Sequence, residues 1–200
     1  MRRFDGSTLL VATHNAGKFE EISALFSDRG VTLVSAATLG LAEPAETEST
    51  FAGNARIKAH AAAKASGLIA LADDSGLCVD GLDGAPGVYT ADWAETGSGR
   101  NFGMAMQRVC DELAAGADSK RTARFVCTLV LAWPDGHDEV FEGVIEGQIV
   151  CPGRGSNGHG YDPIFQPEGH TLTFGEMDRW EKNRLSHRAR AFAQLLTCFT

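Results

Sequence analysis

Between the apolar stretch Leu9-Leu10-Val11-Ala12 and a helical pattern beginning near Phe19 lies a six-residue run, Thr13-His14-Asn15-Ala16-Gly17-Lys18. A strand that ends in a polar, glycine-containing turn and feeds a helix fixes the local topology and makes a natural anion site. The turn's backbone N–H groups and the helix N-terminus point at one spot, and Lys18 adds a full positive charge. Polyphosphate is the ligand such a corner suits. The run is not a P-loop, because the G-x-x-x-x-G-K-[ST] spacing is missing and Glu20, not Ser or Thr, stands two places after the lysine. Read without a ligand, it is a strand–turn–helix connection capped by Asn15.

The pattern beyond this turn alternates. Ser7–Thr13 reads as a buried strand, and Lys18–Arg29 as a helix with Ile22, Leu25 and Phe26 inward and Gly30 as its stop. Val31–Ser35 is a second strand, and residues 36–50 form an acidic loop with Glu43, Glu46 and Glu48. Thr50 caps an alanine-rich helix that closes at Gly67. Leu68–Ala72 is a short apolar strand running into Asp73-Asp74-Ser75-Gly76. Phe102, Met106, Val109 and Leu113 have amphipathic helical spacing. Arg124–Trp133 and Glu139–Val150 flank a D-G hairpin signal, Pro134–His137. The last helix carries Leu185, Ala189, Phe192, Leu196 and Phe199 on its buried side. Helix and strand alternate early and an antiparallel pair follows, which predicts a mixed α/β architecture.

At 200 residues, 44% hydrophobic and 22% charged, the chain reads as one globular domain, residues 1–200, whose core needs no staples. A net charge of −8 argues against a duplex nucleic-acid binder, which presents a basic face. From Arg179 to Thr200, however, five Lys/Arg face one acid, Glu181. The five cysteines (Cys78, Cys110, Cys127, Cys151, Cys198) are odd in number and form no C-x-x-C pair. They read as reduced packing residues of a cytosolic protein. The few apolar residues between Arg3 and His14 are too short for a signal peptide, and no stretch approaches the ~20 apolar residues of a membrane span. The expectation is a cytoplasmic protein with no membrane contact.

Asp73-Asp74 at a strand mouth is the second constraint. Adjacent carboxylates repel, so the pair is costly unless a cation or hydrogen bonds offset it. Side chains alternate along a strand, so one acid faces the site and backbone N–H groups or the following turn hold the other. Hard divalent cations such as Mg²⁺ prefer carboxylate oxygens and substrate phosphates. A second carboxylate from the 43–48 loop would complete such a site, and the residues themselves leave Glu43, Glu46 and Glu48 open. Zinc lacks its His/Cys cluster. In Glu181-Lys182-Asn183-Arg184-Leu185-Ser186-His187-Arg188, Ser186 can cap a turn of helix, Lys182 suits a phosphate, and His187 and Arg188 offer donors to a carbonyl or anion. Gly158-His159-Gly160-Tyr161-Asp162-Pro163 offers a ring, Tyr161 or His159, on which a planar base can stack.

In combination these motifs resemble the inosine triphosphate pyrophosphatase family, the XTP/dITP diphosphatases that clear non-canonical purine nucleotides. The matching stretches are THNAGK (13–18), ETESTFAGNARIKA (46–59), ALADDSGLCVDGLDGAPGVYTADW (70–93), GHGYDPIF (158–165) and EKNRLSHRARA (181–191), in the family's order. The resemblance implies a mixed central sheet flanked by helices, two lobes with the active site in the cleft between them, and a homodimer. It implies Mg²⁺-dependent hydrolysis of dITP, ITP or XTP to the monophosphate and pyrophosphate. Carried over by motif, Thr13, His14, Asn15, Ala16, Gly17 and Lys18 bind phosphates. Asp74 is the catalytic base and a metal ligand, Glu46 is the other metal carboxylate, and Ser75 contacts substrate. His159, Gly160, Tyr161, Asp162, Lys182, His187 and Arg188 complete the nucleotide site. Two positions depart from the family pattern. His159 stands where an aromatic, commonly Phe, is usual, so a related pyrophosphatase with a different base preference is the alternative. Gly53 stands where many members have Glu, which puts Glu46's partner set in question.

Overall fold

A computed structural model describes residues 1–116 and 120–199. The chain opens as expected, with β1 (Thr8–Val11), α1 (Ala16–Leu25) and β2 (Thr32–Ser35). β1 pairs in parallel with β2, Leu9 opposite Leu33, and with β3 (Ile69–Val79), Leu9 opposite Ile69. Parallel neighbours need crossovers, which α1 and α2 (Phe51–Ser66) supply. Leu9, Leu10 and Val11 are accordingly buried, as a central parallel strand requires. The ribbon of β4 (Glu95–Thr96) and β5 (Gly99–Arg100) is separate, and α3 (Phe102–Ala115) follows it. β6 (Thr122–Ala132) and β7 (Asp138–Ile149) flank the expected turn, where Gly136 takes φ +93° and Trp133 N–H donates to His137 O at 2.9 Å. β8 (Phe165–Pro167) pairs antiparallel with β7, and α4 (Arg179–Leu185) and α5 (His187–Leu195) end the chain. The main sheet has six strands in the order β2-β1-β3-β6-β7-β8. The fold is thus the mixed α/β sheet with helices that the pattern predicts.

The chain forms two compact units. One comprises Met1–Asp74, Thr128–Glu142 and Ala191–Thr200; the other comprises Ser75–Cys127 and Gly143–Arg190. In the first, α2 lays Ala55, Ala59, Ala62 and Ala63 against Leu10, Ala70, Ala72, Val130 and Ala132. Alanine at i, i+4, i+7 and i+8 gives a flat helix face that lets the helix seat closely on strands. In the second, Leu77, Val109, Leu113, Phe125, Tyr161, Phe165 and Phe174 anchor a separate aromatic-rich core.

Four expectations need correction. α1 stops at Leu25, because i→i−3 turns at Phe26 and Arg29 tighten the chain before Gly30, and Leu25 is exposed instead of inward. β3 does not end at Ala72 but runs eleven residues to Val79, so Asp73 and Asp74 sit mid-strand. The C-terminal helix is two helices, broken where Ser186 is extended (φ −61°, ψ 155°); Ser186 caps α5 as expected, accepting from Ala189 N at 3.2 Å. Finally, Cys110 and Cys151 form a disulfide, a pairing 41 residues apart that spacing along the chain does not reveal. Cys127 and Cys198 are buried among packed side chains, as expected, and Cys78 is half-buried.

Candidate active site

The β1–α1 corner is built by its own side chains. Thr13, nearly buried, accepts the Asn15 N–H on its Oγ1 at 3.2 Å. Asn15 is the N-cap, its Oδ1 accepting from Lys18 N at 3.0 Å. Ala16 opens the helix, and a helix N-terminus favours an anion. Gly17, like Glu21, is placed only as a member of α1, its surroundings lying outside the described residues. His14 turns its ring away from this corner to the 36–50 loop, donating from Nε2 to Leu41 O at 2.7 Å. Lys18 Nζ lies 2.7 Å from Asp73 Oδ2. An ion pair thus holds Asp73, a partner the sequence did not identify.

Asp73 and Asp74 are 7% and 8% exposed. Successive side chains leave a strand on opposite sides, and the two acids find different partners. Asp74 meets α2: Lys58 Nζ is 3.9 Å away, and the Asn54 side chain hydrogen-bonds the carboxylate. Lys58 also binds Glu46 Oε1 at 2.6 Å. Burial pushes the Asp74 carboxyl up to about 6; Lys58 and the Asn54 bond pull against it, while Glu46 and Asp73 push with burial. Burial alone would lower Lys58, but Asp73, Asp74 and Glu46 more than offset it and raise its pKa.

Two ammonium groups, Lys18 and Lys58, thus serve three carboxylates, Asp73, Asp74 and Glu46. Of the three, Asp73 and Asp74 are buried and Glu46 is exposed. An all-oxygen, anionic donor set fits a hard divalent cation, and Glu46 and Asp74 are the residues that would hold one. Among the described residues no cluster of three or more His, Cys, Asp or Glu is arranged to hold a metal by itself. Magnesium does not need one, since it takes one or two carboxylates together with phosphates and water.

The structure also separates the three loop acids. Glu43 lies 3.9 Å from His14 Nδ1, Glu46 is on Lys58, and Glu48 gives its backbone N–H to Asn54 Oδ1 at 2.9 Å. A Cβ on Gly53 would lie 2.6 Å from the Glu48 Cβ. A glutamate at 53 therefore cannot share the space with Glu48 unless this loop moves, which accounts for the glycine.

In the second unit the nucleotide candidates form another group. Lys182 ion-pairs with Asp162, which is 3% exposed and also accepts the His159 N–H at 2.7 Å. Tyr161 offers no stacking face: it is 1% exposed, its hydroxyl donates to Thr90 O at 2.9 Å, and burial pushes its pKa up to about 12. Of the two rings in this loop, the exposed one is His159. Gly160 takes φ +66°, the left-handed backbone glycine tolerates. His187 is buried and stacked on Phe125, centroids 5.0 Å apart, while Arg188 and Ser75 are half-buried.

Two residues of the first group escaped the sequence reading, Asn54 and Lys58. They lie one turn apart on α2, so the helix presents both to the carboxylates. The signal was the i, i+4 spacing after the Thr50 cap, hidden because a lysine in an alanine-rich helix reads as a solvated face.

With this geometry in view, comparison with known proteins is direct. The family model described as the Ham1 family matches residues 9–198. A dITP/XTP pyrophosphatase of Ruegeria pomeroyi is 65% identical, over 99% of this chain and 98% of that protein. One of Agrobacterium fabrum is 57% identical, over 99% of both chains. The solved structure of a HAM1 protein from Coxiella burnetii is 39% identical with a TM-score of 0.90, covering 96% of this chain and 98% of that one. The Staphylococcus aureus Ham1 protein gives 33% identity and a TM-score of 0.86, over 95% of this chain and 96% of that one. The matched span takes in the β1–α1 corner and the β3 carboxylates, and the chain belongs to the Ham1 family.

Proposed function

We propose that this chain hydrolyses non-canonical purine nucleoside triphosphates, dITP, ITP and XTP, to the monophosphate and pyrophosphate. The observation that carries the reading is Asp74, buried mid-strand and poised at about 6 beside Glu46, Lys58 and Asn54. Its relatives named dITP/XTP pyrophosphatase, 53% to 65% identical over nearly the whole chain, support it.

The α1 amides and Lys18 hold the phosphates. Asp74 orients a water and takes its proton as the water oxygen bonds to the α-phosphorus. The bond from that phosphorus to the α–β bridging oxygen breaks, and pyrophosphate leaves with the electron pair. A base that titrates near neutrality suits this proton transfer. Asn54 and Lys58 hold the carboxylate in place. Magnesium, held by Glu46 and Asp74, would supply charge neutralisation to the phosphates and the leaving group.

His187 and Arg188 are proposed as donors to the 6-keto oxygen of hypoxanthine or xanthine. Donors left unpaired against adenine discriminate by up to about 10⁴-fold. A homodimer in the cytoplasm completes the proposal; among the described residues no helix is long and apolar enough to cross a membrane. The test is a panel of dITP, XTP, dGTP, dATP and dUTP with product identification, with and without magnesium. Pyrophosphate released fastest from dITP or XTP, and lost on chelation, is expected. Orthophosphate as first product, or equal rates across the panel, would overturn it.

A further inference from the structure

We infer that the His14 side chain is a positioning residue that latches the acidic 36–50 loop, and not a phosphate ligand. Within the Thr13–Lys18 run the neighbouring side chains are spent locally, Thr13 on Asn15 N and Asn15 on Lys18 N. Lys18 reaches Asp73 on β3, whereas His14 reaches the 36–50 loop, 27 residues away in sequence. A carbonyl oxygen only accepts, so the 2.7 Å contact with Leu41 O places the hydrogen on Nε2. The other ring nitrogen, Nδ1, faces the Glu43 carboxylate at 3.9 Å.

The loop needs such a tie. Between β2 and α2 it has no helix or strand of its own, and a long unstructured connection is held only by what it touches. Its near end is fixed by Leu41 N–H donating to Ala36 O at 3.0 Å. Its far end is fixed by Glu48 N–H on Asn54. Glu46 lies between them, and a lysine on a flexible stem does not by itself set where a carboxylate sits. The latch at 41–43 and the Asn54 bond at 48 bracket it. His14, Leu41 and Pro44 line one small pocket together with Ala12, Ala36 and Ala62, so this part of the loop lies against β1 and α2. His14 thereby couples the phosphate corner to the placement of Glu46.

The consequence for turnover rests on the proposed function; the latch itself does not. The test is hydrogen–deuterium exchange of residues 41–48 in the full chain without nucleotide, beside kcat and KM for dITP. His14→Ala and His14→Phe remove the donor, the second keeping the ring volume. Both should speed exchange of this segment by about tenfold, as loss of one local hydrogen bond does, and lower kcat more than they raise KM. His14→Gln, whose amide N–H can reach Leu41 O, should restore protection and kcat. Unchanged exchange in both donor-less variants, or a Gln variant no better than Ala, would overturn the latch. A rise in KM alone, with exchange unaltered, would make His14 a phosphate ligand instead. If the protein lacked pyrophosphatase activity altogether, the exchange result would still decide.

Discussion

Lys18 and Asp73 form an ion pair at 2.7 Å in which the carboxylate is buried and the ammonium is about a third exposed. The lysine at the β1–α1 corner is thus tied to the strand that carries the acids. Removing it leaves Asp73 beside Asp74 with its closest cation gone. Because the ammonium end is partly solvated, Lys18→Met should cost about 1–3 kcal/mol, less than a fully buried pair. It should also raise KM for dITP about tenfold, by loss of a charge-assisted contact. The double variant Lys18→Met/Asp73→Asn should recover at least half of the stability but none of the KM. Recovery of KM in the double variant would remove Lys18 from substrate binding.

Asp74→Asn separates chemistry from stability. The amide keeps the shape and the Asn54 and Lys58 neighbourhood but cannot take a proton. Turnover should fall by about 10² to 10⁴, the range of a lost general base. Stability without magnesium should not fall, because burial opposes the charge that the substitution removes. Urea midpoints and kcat measured on the same preparation check both halves. A variant that is destabilised and still active would contradict the role.

What was legible in the sequence was local. The strand–turn–helix corner, the Asn15 cap, and the Thr50-to-Gly67 limits of α2 follow from residue types a few positions apart. Asp74 stood out because two adjacent buried acids demand an explanation. What stayed hidden depends on pairings across a dozen residues or more. Lys18 with Asp73, Lys58 with Glu46 and Cys110 with Cys151 leave no periodic trace. Tyr161 was misleading for another reason: an aromatic in a glycine-rich loop reads as a stacking platform, whereas its hydroxyl finds Thr90 O and the ring joins the core. The 159–162 loop is then shaped by Asp162, whose role as an acceptor for His159 N and Lys182 needs the folded loop to be seen.

Asp138, at the start of β7, ties the sheet to α2. Its carboxylate accepts from His60 Nε2 at 2.9 Å and from Arg56 Nε at 3.2 Å. Burial would raise its pKa, but these two partners more than offset it and hold it below the usual value. An acid depressed in the folded state stabilises above its unfolded pKa, and that contribution is lost as pH falls through the folded one. Asp138→Asn should therefore cost about 1–2 kcal/mol near pH 6, with the gap from wild type closing below about pH 4 as the wild-type carboxyl protonates. Urea midpoints across this range check it. A constant gap would mean packing, not charge, is what the substitution removes.

The disulfide closes a long segment, from Cys110 in α3 to Cys151 just after β7, 41 residues apart. A cross-link across a segment of that length limits the unfolded chain and adds about 2–4 kcal/mol to stability. The Cys110→Ala/Cys151→Ala variant should lose that amount and melt several degrees lower, at about 2–4 °C per kcal/mol for a chain of this size. Wild type in dithiothreitol should match the variant, whereas Cys78→Ala should respond to reductant as wild type does. The result also bears on where the protein works, because reducing compartments keep thiols apart. If reductant leaves the wild-type midpoint unchanged while the thiols titrate as reduced, the cross-link adds nothing to stability. If the midpoint falls, α3 is cross-linked to the residue that begins the run toward His159 and Asp162, and that run's anchorage depends on redox state.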